Sequence, residues 1–297
     1  MGPVKKIPNN CYNSIRRTQG LFFEKISHIS AKKITDDLLN FSKPKEQLDI
    51  LKRHITGQRL EDKKLLEIGS GLGIFHVVAR IDYNIDAWGI EPESDGFDSS
   101  YEISLDIIKS NNLSTDKIIY GYGENLPFPD QIFDVVYSTN VLEHVKDPEK
   151  VIQEAIRVCK RGGIIQIVAP NYGSFFDGHY ACFYAPYQPK WFWKLWIKFV
   201  LKRDPSFADT LNTNINYFTI NRWIRNHIQN RKIEVISCGE EVFKERMMTG
   251  IFSDWAGLGK VKRWVNIIKK IKLTLPLVYI LLRLKAYSPI ILTIRKN

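Results

Sequence analysis

The hydrophobic pattern of this chain alternates between short apolar runs and amphipathic segments over its middle third. Short apolar runs bounded by turn residues predict buried strands, and apolar residues at helical spacing predict covering helices. Strands joined in this way form a parallel sheet with helices on both faces, so the predicted fold class is α/β. The predicted strands are Lys64–Ile68, Ala87–Ile90, Lys117–Tyr120, Phe133–Tyr137 and Ile164–Ala169, and the predicted helices are Ile74–Ile81, Phe97–Lys109 and Pro148–Lys160.

Both ends of the chain depart from this alternation. Residues 1–60 are basic, and an apolar stripe between positions 26 and 39 predicts an N-terminal helical cover over a main domain at 61–297. The alternation stops after the fifth strand, which predicts insertions at about 171–218 and 240–288. The remaining predicted elements are a helix at Thr219–Arg231 and strands at Ile233–Ser237 and Ile290–Arg295.

A glycine-rich turn follows the first predicted strand. Gly69, Gly71 and Gly73 occupy alternate positions directly after the acidic Glu67, and a helix comes next. Glycines there allow a sharp turn and a close approach of the backbone to a ligand. A dinucleotide-binding loop needs its third glycine at position 74, where this chain has Ile74. The carboxylate before the turn indicates a ligand with a positive group rather than a pyrophosphate.

Three further stretches follow in the same order as in one enzyme family. They are Gly121–Pro129, Phe133–Val145 and Arg161–Gly163. With the glycine turn, they resemble class I S-adenosylmethionine-dependent methyltransferases, in the branch of the ubiquinone and menaquinone enzymes. The resemblance covers Leu65 to Pro170, about a third of the chain. It implies a Rossmann-like, doubly wound, mostly parallel sheet with a reversed final strand, an inserted helical segment before that strand, and S-adenosylmethionine as the cofactor.

The resemblance also implies which residues hold the cofactor. Glu67 lies near the methionine amino group in this family, Glu91 at the end of the second strand binds the ribose hydroxyls, and a loop after the third strand encloses the adenine. In that loop Tyr122 departs from the family pattern, because a side-chain acceptor is common there. The full set of expected cofactor-binding residues is Glu67, Gly69, Ser70, Gly71, Gly73, Glu91, Gly123, Glu124, Asn125 and Asn140.

Two histidines are candidates for the acceptor side. His144 follows the fourth strand, and His179 follows the fifth, with Asp177 two residues before it. Ligands bind at the carboxyl ends of strands in open α/β sheets, and histidine titrates in the range useful for a general base. The alternatives are a structural Glu-His pair after the fourth strand and a surface turn at positions 177–178. We prefer His179, oriented by Asp177, as the base.

The charge pattern indicates an anionic partner. The formal net charge is +11, and two segments, Trp191–Arg203 and Lys260–Lys272, interleave aromatic and cationic residues. Such helices lie at membrane interfaces, with tryptophans at the headgroup level. The alternative is an amphipathic helix packed on the core with solvated lysines. The apolar stretch Leu273–Leu284 is too short to span a bilayer unaided.

The four cysteines indicate a reducing compartment. They are far apart and form no C-x-x-C pair, which argues against a disulfide framework or a zinc knuckle, so we expect no metal site. The first residues are polar and basic and contain no apolar signal-peptide core. We therefore expect a cytoplasmic protein, peripheral at the inner face of a membrane.

The predicted function is a methyltransferase acting on oxygen, with nitrogen or carbon as the alternative acceptor atom, and with a small-molecule or lipid-linked acceptor such as a glycan or a quinone. One alternative is a catalytically inactive, membrane-peripheral binding protein of the same fold. Another is an RNA methyltransferase, but the Asp/Asn-Pro-Pro-aromatic signature of base-modifying enzymes is absent after the fourth strand, where residues 138–141 read Ser-Thr-Asn-Val. Nucleic acid is thus not the expected partner, and the sequence leaves the acceptor and the oligomeric state open.

Overall fold

The fold is built on one seven-stranded sheet with the order β3-β2-β1-β4-β5-β9-β8. The computed structural model describes residues 4–55, 59–92, 99–252 and 255–297. β9 runs antiparallel to both of its neighbours, β5 and β8, and the other strands are parallel to one another. The strands are β1 Lys64–Ile68, β2 Asp86–Glu91, β3 Ile118–Tyr120, β4 Phe133–Thr139, β5 Cys159–Ala169, β8 Ile233–Ser237 and β9 Ile290–Lys296, and a separate hairpin pairs β6 Phe176–Asp177 with β7 Cys182–Phe183.

This topology confirms the predicted fold class, including the reversed final strand. The central strands are parallel and covered on both faces, which is why they read as continuous apolar runs. Leu65 of β1 pairs with Val135 of β4 and is fully buried. β5 and β9 then pair antiparallel from Ile164–Arg295 to Ala169–Ile290. Ligand-binding loops in such sheets lie at the carboxyl edge of the parallel strands.

The helices lie on both sides of the sheet. The helices of the main alternation are α5 Ile74–Asp82, α6 Ser100–Ser110 and α7 Pro148–Val158, and position 97, where the second of these was predicted to begin, lies outside the described residues. Asp147 caps α7, because its side chain accepts a 3.0 Å hydrogen bond from the backbone N–H of Lys150. Pro148 occupies the first turn, as predicted.

The predicted C-terminal end of α7 at Lys160 is wrong. The helix ends at Val158, and β5 already begins at Cys159, which pairs with Phe133 of β4. A change of register between Phe133 and Val135 accompanies the turn at Gly162, whose φ is +75°. The pairing with β4 decides the conformation here, because it satisfies backbone groups that the helix would leave without partners.

Four helices precede the sheet, in the region predicted as a helical cover. Residues 1–3 and 56–58 of that region lie outside the described part. Leu48 and Leu51 pack with Phe75 and Val78 of α5 in one cluster of buried residues, so these helices share a core with the sheet. They are α1 Asn9–Ile15, α2 Leu21–Ser27, α3 Ala31–Leu38 and α4 Ser42–Lys52, and a π-helical stretch, Arg16–Gly20, joins α1 to α2.

Two segments that contain helices lie in the second half of the fold. The first carries the β6–β7 hairpin and lies between β5 and α10. The second lies between β8 and β9, as predicted for the segment before the final strand. In chain order these helices are α8 Lys190–Leu195, followed by a π-helical turn Trp196–Val200, α9 Phe207–Thr210, α10 Tyr217–Gln229, α11 Glu240–Thr249, α12 Gly259–Lys270 and α13 Thr274–Arg283. Within the described residues, no helix is both long and apolar enough to cross a membrane.

Candidate functional site

A cavity of about 540 Å³ opens at the carboxyl edge of the sheet. The loops that follow β1, β4 and β5 form its floor, and residues of the N-terminal helices and of both insertions form its walls. The cavity thus extends from the glycine turn to the candidate histidines. Such an edge is where open α/β sheets bind ligands, and the cavity has the size of a small-molecule site.

The glycine turn has the conformation that its sequence predicts. Gly69, Gly71 and Gly73 all have positive φ, at +75°, +51° and +73°. A Cβ on Gly69 would collide with the side chain of Val141, so this position excludes other residues for packing reasons. A Cβ on Gly71 would meet no atom within 4 Å, and Gly71 lines the cavity. The space beside Gly71 is therefore open for a ligand to approach the backbone.

Two buried carboxyl groups flank this turn. Glu91 is 7% exposed, and its Oε2 accepts a 2.7 Å hydrogen bond from the backbone N–H of Gly71. Burial raises the pKa of Glu91 to about 7, and the hydrogen bond from Gly71 opposes that rise. Glu67 lines the cavity, and burial together with the charge of Glu91 holds its pKa well above the ordinary range. A positive group bound beside Glu67 would offset this cost.

Two buried polar atoms beside the glycine turn have no hydrogen-bond partner among the described residues. Glu67 Oε2 and Ser70 Oγ are buried and make no hydrogen bond with the described residues. Buried polar atoms are nearly always hydrogen-bonded, so unsatisfied ones that line a cavity mark where a ligand binds. Asn140 also lines the cavity, with φ of +53° and its backbone N–H donating to the carbonyl of Val168 at 2.8 Å.

The predicted adenine loop lies apart from these residues. Among the described residues, Gly123, Glu124 and Asn125 are not part of the cavity wall, and neither is Glu91. Glu124 Oε1 instead accepts a 3.1 Å hydrogen bond from the backbone N–H of Lys146, and Asn125 is exposed. A Cβ on Gly123 would lie 2.9 Å from Ile68, so this glycine permits the close packing of the loop on β1. The roles of these residues toward adenine and ribose stay predictions.

The structure brings the three predicted acceptor-side residues together. Asp177 and His179 belong to the β6–β7 hairpin, and His144 belongs to the loop after β4. Asp177 Oδ1 lies 3.3 Å from Nδ1 of His179, and its Oδ2 accepts a 2.6 Å hydrogen bond from the backbone N–H of Tyr180. The rings of His144 and His179 are 5.5 Å apart between centroids. Both histidines line the cavity, while Asp177 orients His179 from behind.

Glu143 joins this group, although we did not predict it as a site residue. Its side chain is 1% exposed, and its Oε1 lies 3.9 Å from Nε2 of His144. Glu143 also lines the cavity. The only sequence signal was an acidic residue directly before His144, at the end of a buried strand. The sequence alone does not show that the β6–β7 hairpin places His179 beside Glu143 and His144, and this contact is what makes Glu143 a candidate.

Burial and charge set unequal protonation states in this cluster. Burial raises the pKa of Glu143 to about 7, and the charge of His179 opposes that rise. Burial lowers the pKa of His144 to about 3, so its imidazole is neutral at pH 7 and is a weak base. Burial also lowers the pKa of His179, but the hydrogen bond from His179 to Asp177 and the charges of Asp177 and Glu143 outweigh it and produce a net rise. The cluster therefore holds one imidazole with a lowered pKa, His144, and one with a raised pKa, His179, beside the carboxyl group of Glu143.

The rest of the cavity wall is largely apolar and comes from both insertions and the N-terminal helices. Phe176, Met247, Trp255 and Val261 contribute side chains to it, and Phe23 of the N-terminal helices faces them. The indole N–H of Trp255 donates to the carbonyl of Gly178 at 3.3 Å, which joins the second insertion to the β6–β7 hairpin. An apolar wall around a few polar groups is typical of a site for a small organic molecule.

Comparison with known proteins identifies the central part of the chain. The family model of a methyltransferase domain matches residues 66–167. Residues 66–167 form a methyltransferase domain. An uncharacterized protein of Methanocaldococcus jannaschii is 35% identical over 136 residues, which are 46% of this chain and 56% of that relative. Ajmaline N-methyltransferase of Rauvolfia serpentina is 30% identical over 111 residues, 36% of each chain, so the match spans about half or less of these relatives.

The methyltransferase domain also has a known fold. The crystal structure of geranyl diphosphate C-methyltransferase from Streptomyces coelicolor A3(2) superposes with a TM-score of 0.51 at 14% identity, over 85% of this chain and 77% of that one. This likeness shows that the fold is that of class I methyltransferases and extends over most of the chain. The cofactor of this class is S-adenosylmethionine, as the sequence predicts. The ubiquinone-type branch is not specifically indicated by these relatives.

The residues at the glycine turn fit S-adenosylmethionine. Its amino and sulfonium groups are positive, and the unsatisfied Glu67 Oε2 in the cavity wall provides a carboxylate for a positive group. Ser70 Oγ adds a hydrogen-bonding atom in the same wall, and the open space at Gly71 admits a ligand against the backbone. This half of the cavity therefore offers a carboxyl group and open space at the backbone, which suit the positive, methionine end of the cofactor.

Proposed function

We propose that this protein transfers a methyl group from S-adenosylmethionine to an oxygen of a small acceptor with an apolar body. The observation that carries the proposal is the continuity of one cavity from the glycine turn to the cluster of Glu143, His144 and His179. The sulfonium methyl of the cofactor supplies the electrophile. Holding the acceptor oxygen in line with that methyl, in a cavity that excludes water, provides most of the rate enhancement.

The side chains of the cluster suit an acceptor that must lose a proton. His179, held by Asp177, faces the cavity beside Glu143, whose pKa is about 7. A base works best when its pKa lies near the operating pH, so the Glu143–His179 pair receives the proton and not His144. This assignment supports oxygen as the acceptor atom, because methylation of a neutral amine requires no base before the transfer.

The apolar wall and the outer surface of α12 support a lipid-linked acceptor. Val261 of α12 lines the cavity, whereas Trp264 and Ile267 of the same helix are 55% and 46% exposed. Ile271 and Tyr279 continue this exposed apolar surface along the chain, and lysines accompany it at both ends of α12. We call it the α12–α13 surface and propose that it binds an anionic bilayer, so that an acceptor enters the cavity from the lipid.

Cofactor binding tests the first part of the proposal. Calorimetric titration with S-adenosylhomocysteine is expected to give a micromolar dissociation constant that Gly71→Arg abolishes, because the new side chain fills the open space. Gly162→Arg is the matched control: it adds the same charge at a glycine that also has positive φ and open surroundings, but it lies in the exposed turn of β5. No binding by the folded wild-type protein contradicts the proposal.

Transfer of a labelled methyl group tests the acceptor class. Incubation with labelled S-adenosylmethionine is expected to label a component of a lipid extract rather than of an aqueous metabolite extract or of RNA. Labelled RNA, with affinity that falls steeply with salt, would instead support an RNA methyltransferase. Cofactor binding without transfer to any fraction would support a catalytically inactive binding protein of the same fold.

Vesicle sedimentation tests the α12–α13 surface separately. We expect binding to vesicles of phosphatidylcholine and phosphatidylglycerol, and weak binding to phosphatidylcholine alone. The double variant Trp264→Ser and Ile267→Ser should weaken binding about tenfold or more, since each exposed apolar side chain adds of the order of 1 kcal/mol on insertion. Leu21→Ser is the control, because Leu21 is 46% exposed on α2. If both variants lose vesicle binding to the same extent, the α12–α13 surface is not the membrane-binding surface.

A further inference from the structure

The cluster behind the acceptor half of the cavity has the composition of a metal site. One ligand atom from each of Glu143, His144 and His179 lies within 4.8 Å of the others. The three residues come from two separate elements, the loop after β4 and the β6–β7 hairpin. Donor atoms on a shared metal ion are about 3 Å apart in a tetrahedral site, so closure requires shifts of the order of an ångström.

The carboxyl group of Glu143 has no hydrogen-bond donor among the described residues. Its side chain is 1% exposed, and neither of its oxygens accepts a hydrogen bond from any residue that the structure describes. A buried carboxylate without partners carries a large desolvation cost, and the group either stays protonated or binds a cation. Both oxygens belong to a side chain in the cavity wall, beside two imidazoles that are good metal ligands.

The neighbours of the two histidines fix where their rings lie. Asp177 Oδ1 lies 3.3 Å from Nδ1 of His179, so it accepts a hydrogen bond from an N–H at that nitrogen and leaves Nε2 as the ligand atom. A carboxylate behind a histidine is the usual outer partner of a metal ligand, because it fixes the ring and its tautomer. Asp177 is itself fixed by the backbone N–H of Tyr180 at 2.6 Å. His144 lines the cavity, and its Nε2 lies 3.9 Å from Oε1 of Glu143.

We propose that Glu143, His144 and His179 bind one divalent transition-metal ion, with Zn²⁺ as the first candidate. Two imidazoles and one carboxylate form the donor set of catalytic zinc sites, which keep a fourth position open, whereas Mg²⁺ and Ca²⁺ prefer oxygen donors. The residues of this site line the cavity, so the open position faces the acceptor. This departs from the expectation, drawn from the cysteine pattern alone, that the protein has no metal site.

The metal site would change how the acceptor is activated, and this role rests on the proposed function. A hydroxyl that binds the open position has a lowered pKa and releases its proton to water, so its oxygen is a better nucleophile at neutral pH. Glu143 and His179 then act as ligands rather than as a free acid and base. Metal binding itself does not depend on methyl transfer and is measured without cofactor or acceptor.

Titration of the metal-free protein tests the proposal. After removal of metal by a chelator, calorimetry with ZnCl₂ is expected to show about one ion bound per chain. Glu143→Gln and His179→Gln should each weaken zinc binding about 100-fold or more, and Asp177→Asn, behind the ligand, about 10-fold to 100-fold. His227→Gln is the control for adventitious binding to a histidine, because His227 lies on α10 away from the cavity.

Two further readouts keep the test decisive. Thermal unfolding of wild type should shift upward with ZnCl₂, and the Glu143→Gln protein should fold without metal at least as stably as wild type but show no such shift. Cobalt substitution should give the visible absorption of a four- or five-coordinate site without a thiolate charge-transfer band, which excludes the buried cysteines as ligands. Absence of stoichiometric binding, or equal affinity in Glu143→Gln and wild type, overturns the proposal.

Discussion

Binding of the cofactor is expected to release a proton from Glu91. This carboxyl group is 7% exposed, and its pKa is raised by burial from the ordinary 4.5 to about 7, despite the hydrogen bond from the backbone N–H of Gly71. At pH 7 about half of the cofactor-free molecules therefore carry a neutral Glu91. The hydroxyls of the ribose and the positive amino group of the cofactor both favour the ionised form of nearby carboxylates.

The size of the effect follows from this rise in pKa. If the pKa of Glu91 returns toward 4.5 in the complex, the coupling between cofactor and proton is about 3 kcal/mol. Below pH 7 the dissociation constant should then rise about tenfold for each pH unit, and above pH 7 it should level off. Glu67, whose pKa is also raised by burial and by Glu91, adds at most a second proton.

Calorimetry in buffers of different ionisation enthalpy measures the released proton directly. At pH 6 the slope of the observed enthalpy against the buffer enthalpy should indicate about one proton released by wild type on binding S-adenosylhomocysteine. Glu91→Gln should reduce the number by about one and flatten the pH dependence. Glu234→Gln, at an exposed glutamate of β8, is the control. A wild-type dissociation constant that stays constant from about pH 5.5 to 8 refutes the reasoning.

The raised pKa of Glu91 makes the cofactor-free protein less stable as the pH rises, whereas cofactor binding becomes tighter. In the unfolded chain Glu91 ionises near 4.5, whereas the folded, cofactor-free protein holds the proton until about pH 7. Its contribution to the free energy of unfolding is therefore full below pH 4.5 and is lost as the pH rises through 7, by about 3 kcal/mol in total. Urea unfolding at pH 8 should find Glu91→Gln more stable than wild type, although it binds the cofactor less tightly.

Two further predictions concern the framework of the site. Gly69→Ala should lower the free energy of unfolding by about 2–4 kcal/mol, because the new Cβ collides with Val141 and the position has a positive φ. Gly162→Ala has the same φ of +75° but open space around its Cβ, so it should lower the free energy of unfolding by only about 1 kcal/mol. Urea titration of the two variants measures the difference. Arg157→Ala should cost about 2 kcal/mol in the same assay, because it removes the charged hydrogen bonds to the buried Glu154, and a loss below about 0.5 kcal/mol contradicts this.

The framework strands could be predicted well from the sequence. β1 and β8 have the predicted bounds. For β1 the reason is that a buried parallel strand requires an apolar run and turn residues end it. The end of α7 could not be predicted, since the pairing of Cys159 with Phe133 across the sheet outweighs helix propensity. Propensity describes local preference, and this boundary is decided by a partner 26 positions away in the sequence.

The candidate site was predictable where its residues are close in sequence. Asp177 and His179 are two positions apart, and the hairpin turn brings their side chains together as expected. Glu143 could not be recognised, because its significance depends on burial and on the approach of His179 from a distant loop. The adenine loop illustrates the converse, since Glu124 has the expected place in the sequence but bonds the backbone at Lys146.

The N-terminal helices make contacts with residues that lie much later in the chain. Gln19 donates a hydrogen bond to Ser100, Phe23 contacts the ring of His179, and Glu46 pairs with Arg246 at 2.7 Å. Because a ribosome makes the chain from its N-terminus, these helices emerge long before the residues that complete their contacts. The ring of Phe23 then stays uncovered on this side until His179 has been translated, so a nascent chain arrested before His179 should expose Phe23 to chaperones.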